Sequence, residues 1–230
     1  MRRALVTGGN RGIGLATCLA LLREGLAVVL CARDEAEGRR AAAALAAEGG
    51  ELRLERVDVG DPASITALAG RLAEAGLAVD VLVNNAAVYL PGAMLGADEG
   101  AFLESLRVNC AGPLRLCRAF VPGMLARGYG RVVNVSSGYG AFSDGLEGPA
   151  PYSLSKALLN AITVKLAAEV AGRGDVKVNA LRPGWVRTRM GGAGAERSPE
   201  AAAADIVRAA TLPADGPHGR CLRYGELVDW

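Results

Sequence analysis

The chain has 230 residues, 51% of them hydrophobic and 22% charged, with a net charge of +2. That length and balance suit one α/β domain with a sizeable core, and so small a net charge argues against a nucleic-acid partner. No apolar stretch approaches the roughly 18 residues that a membrane helix needs, and the run after the two N-terminal arginines is too short for a signal peptide.

Arg3–Thr7 reads as a buried strand. It leads into the glycine-rich turn Gly8-Gly9-Asn10-Arg11-Gly12-Ile13-Gly14 and then an apolar helical pattern that closes at Gly25. Strand, glycine turn and helix in that order point to nucleotide binding, because glycines let the backbone approach a pyrophosphate and the helix start offers it free N–H groups. A second strand, Leu26–Ala32, is apolar throughout, as in a parallel sheet covered on both faces. Its end is where an acidic residue would hold a ribose 2′-hydroxyl, but the residue there is Arg33. A guanidinium pairs with a 2′-phosphate, so NADP(H) is favoured over NAD(H). Asp34 reads as the cap of the next helix.

A third strand runs from Leu52 to Val59 and carries Asp58 near its end. Asp61-Pro62 opens a helix that ends near Gly76, and Val79–Asn84 is a fourth strand. This alternation predicts a doubly wound parallel sheet of about seven strands with helices on both faces. From Ala97 to Arg127 the pattern is helical, and Pro113 is expected to kink or break it just after Asn109. Arg131–Ser136 is a fifth strand, delivering Ser136 and Ser137 to a loop over 138–151 that is rich in Gly and Pro. Tyr152 and Lys156 then stand four apart on a helix, hence on one face. A neighbouring cation lowers a phenol's pKa, which makes the pair a candidate general acid or base. After a sixth strand (Asp175–Leu181), Met190–Ser198 reads as a mobile loop, Ser198 as the cap of a helix to Ala210, and Cys221–Tyr224 as the last strand.

The five cysteines are odd in number and none pairs at metal-ligand spacing. We therefore expect buried free thiols in a reducing cytoplasm, and no metal. His218, the one histidine, lies in a turn-like stretch and is expected at the surface, which excludes a Ser-His-Asp triad.

Taken together, TGGNRGIG (Thr7–Gly14), Asp58-Val59, NNAA (Asn84–Ala87), Asn109, NVSS, YSLSK and RPGWVRT resemble the short-chain dehydrogenase/reductase family over nearly the whole chain. GNRGIG, CARD, RVVNVSS and PGWVRT are most similar to its carbonyl-reductase-like branch, which typically uses NADPH. The resemblance implies a ketone or aldehyde reductase, reversible as an alcohol dehydrogenase. Tyr152 would donate the proton, Lys156 would lower the phenol's pKa and bind the nicotinamide ribose, and Ser137 would hold the substrate oxygen. Asn109 would hold a water linking Lys156 to solvent. For the cofactor it implies Gly8, Asn10, Arg11, Gly12, Ile13, Gly14 and Arg33. It adds Asp58 and Val59 at the adenine, Asn85 at a ribose, Val186 and Thr188 near the carboxamide, and Pro183 with no part of the cofactor specified. The family's NNAG is NNAA here, so Ala87 stands where a glycine is usual, and the longer gap from Ser137 to Tyr152 leaves Ser136 as an alternative to Ser137. Tyr89, Tyr139, Phe142, Trp185 and Met190 are candidate walls for an uncharged, fairly apolar carbonyl compound. Two competing readings keep the fold: an NADP(H) sensor without turnover, which has no need of all four polar residues, and an epimerase or dehydratase recycling NAD(H), which Arg33 disfavours. Family members are often dimers or tetramers, so a homo-oligomer is expected, although members of this branch can be monomeric.

Overall fold

The structure, a computed structural model, describes residues 1–230. Strands and helices alternate: β1 (Arg3–Thr7), α1 (Gly12–Arg23), β2 (Ala27–Ala32), α2 (Glu35–Leu45), β3 (Leu52–Arg56), α3 (Pro62–Glu74) and β4 (Val81–Asn84). Then come α4 (Glu99–Leu106), α5 (Gly112–Arg127), β5 (Tyr129–Val135), α6 (Ala150–Val170), β6 (Asp175–Leu181), α7 (Pro199–Ala210), β7 (Cys221–Arg223) and β8 (Glu226–Val228). They build one sheet in the order β3-β2-β1-β4-β5-β6-β7-β8. All neighbours are parallel except β7 and β8. The sheet thus has eight strands rather than about seven. The additional one, β8, turns back through Tyr224 and Gly225, both at positive φ. At three residues it is too short to show a period of two in the sequence.

β2 and the inner residues of β1 are apolar on both faces because helices cover both. Ala4, Val6, Val28 and Leu30 face one core with Cys18, Leu21, Leu45 and Ile206 from α1, α2 and α7. The alternate residues Leu5 and Val29 face the other core, with Leu68 and Leu72 from α3 and Leu116, Phe120 and Met124 from α5. A strand whose successive side chains enter different cores has no polar positions to alternate.

Four helices start on side-chain caps: the side chains of Asp34, Asp61, Asp98 and Ser198 accept from backbone N–H groups of α2, α3, α4 and α7. Pro113 does not end a helix. It sits at the start of α5, where its missing N–H is tolerated, and the irregularity falls before it, as a π turn over Arg107–Ala111 that joins α4 to α5. That turn buries Val108, Asn109 and Cys110. All five cysteines are buried and free.

His218 is half-buried rather than at the surface. Its Nδ1 accepts from the N–H of Val178 at 3.1 Å, and its Nε2 lies 2.9 Å from the carbonyl of Ala167. The ring therefore carries its proton on Nε2 and ties the 211–220 loop to β6 and α6. Residues 190–198, expected to be mobile, are also held in place. Arg187 N–H donates to the Arg197 carbonyl (2.8 Å), Arg197 N–H to the Trp185 carbonyl (3.1 Å) and the Trp185 indole to the Gly191 carbonyl (2.8 Å). The Arg197 guanidinium adds bonds to the Pro183 carbonyl (2.6 Å) and to Asp205 (2.8 Å).

Candidate active site

In an open parallel sheet, the crevice lies beyond the carboxyl ends of the strands, where successive crossovers leave in opposite directions. Here that point is between β1 and β4. A cleft of about 1420 Å³ opens there, lined by the glycine turn, the ends of β2 to β6 and the 182–191 segment. Every catalytic and cofactor-binding residue expected at the site borders it except Asn109.

At one end stands the N-terminus of α1. Gly8 adopts φ +64°, and a side chain on Gly14 would lie 2.1 Å from the Gly8 carbonyl oxygen, so the turn can close only with hydrogen at that position. Asn85 secures the turn from below, donating to the carbonyls of Thr7 (2.9 Å) and Gly8 (3.3 Å). Thr7 in turn accepts the N–H groups of Asn85 and Ala86 on its hydroxyl, at 3.0 Å each. Unlike α2, α3, α4 and α7, α1 has no side-chain cap, and its first turn holds no acidic residue. Its free N–H groups and positive dipole end face the cleft, which suits a diphosphate. Asp58 and Val59 border the cleft beside the turn, and Arg33, at the end of β2, is exposed to it and forms no ion pair.

At the other end, α6 presents Tyr152 and Lys156 on one face, both buried. The Lys156 ammonium donates to the Val135 carbonyl at 2.7 Å and lies 5.7 Å from the centre of the Tyr152 ring. The two groups share the pocket, but the ammonium bonds to the strand and not to the phenol. Consequently the expected lowering of the phenol's pKa is absent. Burial pushes the Tyr152 hydroxyl up to about 12, only partly offset by a hydrogen bond with Ser137. Burial brings Lys156 down to about 8. Near neutrality the phenol is protonated and able to donate.

Ser136 and Ser137 differ in their partners. Ser136 is buried, and its hydroxyl donates to Asn160 Oδ1 at 2.6 Å. Asn160 also donates to the Gly140 carbonyl at 2.9 Å, clamping the loop after β5 onto α6. Ser137 borders the cleft beside Tyr152, and its hydroxyl accepts from the N–H of Tyr139 at 3.2 Å.

Asn109 is fully engaged. Its Oδ1 accepts from Val88 N–H (2.9 Å), and its Nδ2 donates to the Val88 carbonyl (2.9 Å) and to Ser155 Oγ (2.9 Å). It joins the π turn, the chain after β4 and α6 where they meet. Ala87 does not have positive φ, so the glycine usual there is not needed for backbone reasons.

Of the candidate walls, Tyr89 tilts against Tyr152, with ring centres 4.8 Å apart at 59°. Tyr139, Trp185 and Met190 also border the cleft, whereas Phe142 is exposed and does not. Thr7, Asn84 and Asn134 fall inside the quoted motifs, which assign them no role, and Asn160 and Thr163 fall outside them; in the structure Asn84 donates to Asn134 (2.8 Å) and Asn134 to Thr163 (2.8 Å), forming a buried chain. Only their partners in space distinguish these residues from their polar neighbours on the same elements.

Comparison with known proteins gives the family. The family model described as short chain dehydrogenase matches residues 2–198. The chain belongs to the short-chain dehydrogenase family. It is thereby an oxidoreductase by family. Carbonyl reductase [NADPH] 1 of Sus scrofa is 33% identical, over 100% of this chain and 94% of that protein. Galactitol 2-dehydrogenase (L-tagatose-forming) of Cereibacter sphaeroides is 38% identical, over 81% and 72% respectively. Among solved structures, the NADPH-bound carbonyl reductase from chicken fatty liver superposes with a TM-score of 0.89 at 30% identity, covering 100% of this chain and 99% of that one.

Proposed function

We propose that this dehydrogenase is an NADPH-dependent reductase of ketones or aldehydes, working in reverse as an alcohol dehydrogenase. The observation that carries the reading is one cleft with an uncapped helix N-terminus at one end and the buried Tyr152–Lys156 pair at the other. Likeness to a carbonyl reductase named for NADPH supports it, as does Arg33, unpaired at the end of β2.

In this reading the chain acts as a single dinucleotide-binding and catalytic domain, with substrate loops over about 138–151 and 189–198. The α1 N-terminus, with Gly8, Asn10, Arg11, Gly12, Ile13 and Gly14, receives the diphosphate, and Arg33 the 2′-phosphate. Asp58 and Val59 flank the adenine, and Asn85 reaches a ribose through its free oxygen. Pro183, Val186 and Thr188 flank the carboxamide. The nicotinamide, when bound, supplies the hydride. Tyr152 gives its proton to the carbonyl oxygen, and Ser137 donates to the same oxygen, so charge arriving there meets two donors. Lys156 keeps positive charge beneath the site. Asn109 acts through position, holding Val88 and Ser155 fixed. Tyr89, Tyr139, Trp185 and Met190 give an apolar approach suited to an uncharged carbonyl compound. A cytoplasmic location fits the free thiols.

The direct test follows nicotinamide absorbance with a panel of ketones and aldehydes. Steady NADPH loss with alcohol formation is expected. Binding without loss would make the chain a sensor, and conversion without net loss would make it a cofactor-recycling enzyme. Tyr152→Phe is expected to lower kcat/KM by about 10²–10⁴-fold, the usual contribution of a placed general acid; full turnover in that variant would falsify the proton-donor role.

A further inference from the structure

The ribose end of the cleft holds a carboxylate that the NADPH reading does not use. Glu37, in the first turn of α2, borders the cleft together with Asn10, Arg11 and Arg33. Its Oε2 accepts from Asn10 Nδ2 at 2.6 Å and from Arg11 Nη1 at 3.1 Å. Its backbone N–H is fixed by the Asp34 side chain at 2.8 Å, which sets where the side chain starts. One carboxylate oxygen therefore engages donors from two residues of the glycine turn, next to the place where a 2′-phosphate would meet Arg33.

We propose that Glu37 is a cofactor-specificity residue, an acidic counter-determinant that narrows the preference for NADPH over NADH which Arg33 sets. The inference rests on the dinucleotide reading above. A 2′-phosphate entering beside Arg33 meets the Glu37 carboxylate as a like charge. It must also compete with that carboxylate for Asn10 and Arg11. A ribose 2′-hydroxyl meets neither obstacle and gains an acceptor, since a carboxylate takes hydrogen bonds from hydroxyls. Glu37 thus acts in opposite senses on the two cofactors, while Arg33 favours the phosphate alone. Glu37 is also part of what orders the turn, and the substitution that separates charge from architecture is Glu37→Gln. Glutamine keeps an oxygen to accept from Asn10 and Arg11 and loses the negative charge.

The experiment measures Kd for NADPH and for NADH by fluorescence titration on the wild type, Glu37→Gln and Glu37→Ala, with thermal melts confirming folded protein. In Glu37→Gln, NADPH is expected to bind about fivefold to tenfold more tightly, the scale of one screened charge pair near a surface, and NADH to stay within about twofold. Added salt should shrink the difference between wild type and variant, because the repulsion is screened. Glu37→Ala should move the ratio of the two constants in the same direction. An unchanged ratio in both variants, or equal shifts for both dinucleotides, overturns the inference and leaves Glu37 a structural pin. If the wild type binds neither dinucleotide, the proposed function itself fails, and this inference with it.

Discussion

At the scale of residues, the decisive contrast is between Tyr152 and Lys156 as a spacing and as a pair of buried groups. Four residues apart on a helix puts them on one face, and the structure keeps them there. The sequence reading then expected the ammonium to acidify the phenol. Burial acts more strongly, lifting the phenol to about 12 and dropping the amine to about 8, while the amine bonds to Val135. This favours donation over abstraction at neutral pH and moves the pH sensitivity onto the lysine. With the phenol protonated throughout the physiological range, reduction should lose activity through Lys156 as pH rises past about 8. A profile of kcat/KM against pH should show that basic limb, and Lys156→Arg should carry it beyond pH 10, because a guanidinium does not titrate there. A limb unmoved in the variant would assign it to another group. Ser137, Tyr152, Lys156 and the glycine turn were legible because each belongs to a short motif whose spacing encodes its geometry. Asn160 was not, since a helix asparagine gains meaning only from Ser136 and the Gly140 carbonyl, which the fold brings to it.

At the scale of elements, the strands and helix caps were readable from local pattern, and the connections between them were not. Asp34, Asp61 and Ser198 cap the helices that follow, as their side chains and the prolines after two of them suggest. Contacts reaching 40 and 51 residues along the chain fix His218, and no local pattern carries that information. Replacing His218 by Ala leaves the Val178 N–H without a partner, which should cost about 1–3 kcal/mol. In a protein of this size each kcal/mol lowers Tm by roughly 2–4 °C, so a thermal melt reads the loss. Asn160→Ala should loosen the loop after β5 from α6 and release Ser136. Turnover should fall while dinucleotide affinity holds, since the partners of Asn160 are Ser136 and Gly140 and not the glycine turn. Gly14→Ala should instead abolish dinucleotide binding, and turnover with it, because its methyl carbon would lie 2.1 Å from the Gly8 oxygen. Isothermal titration separates the two outcomes.

At the scale of the whole molecule, the site has a cost in stability. The depressed pKa of Lys156 means that the folded chain binds this proton less tightly than the unfolded chain. Its contribution to stability is present above about 10.5 and is lost as pH falls through about 8. Tyr152, raised from 10 to about 12, contributes below 10 and loses that contribution as pH rises towards 12. Replacing Lys156 by Met should therefore raise Tm at pH 7 while abolishing turnover, with the gain shrinking as pH climbs towards 10, which melts at three pH values can follow. A Tm unchanged or lowered at pH 7 would show that the ammonium's bond to Val135 outweighs its desolvation.

The two margins of the sheet have a consequence for association between copies. One margin is β3, where Arg53 and Arg71 pair with the buried carboxylate of Glu55. The other is β8, three residues long with Glu226 exposed, folded back over β7. Neither offers a long, flat, apolar ladder to a foreign strand. Copies that meet in solution are therefore expected to join by helix faces or loops rather than through a shared ribbon of hydrogen-bonded backbone.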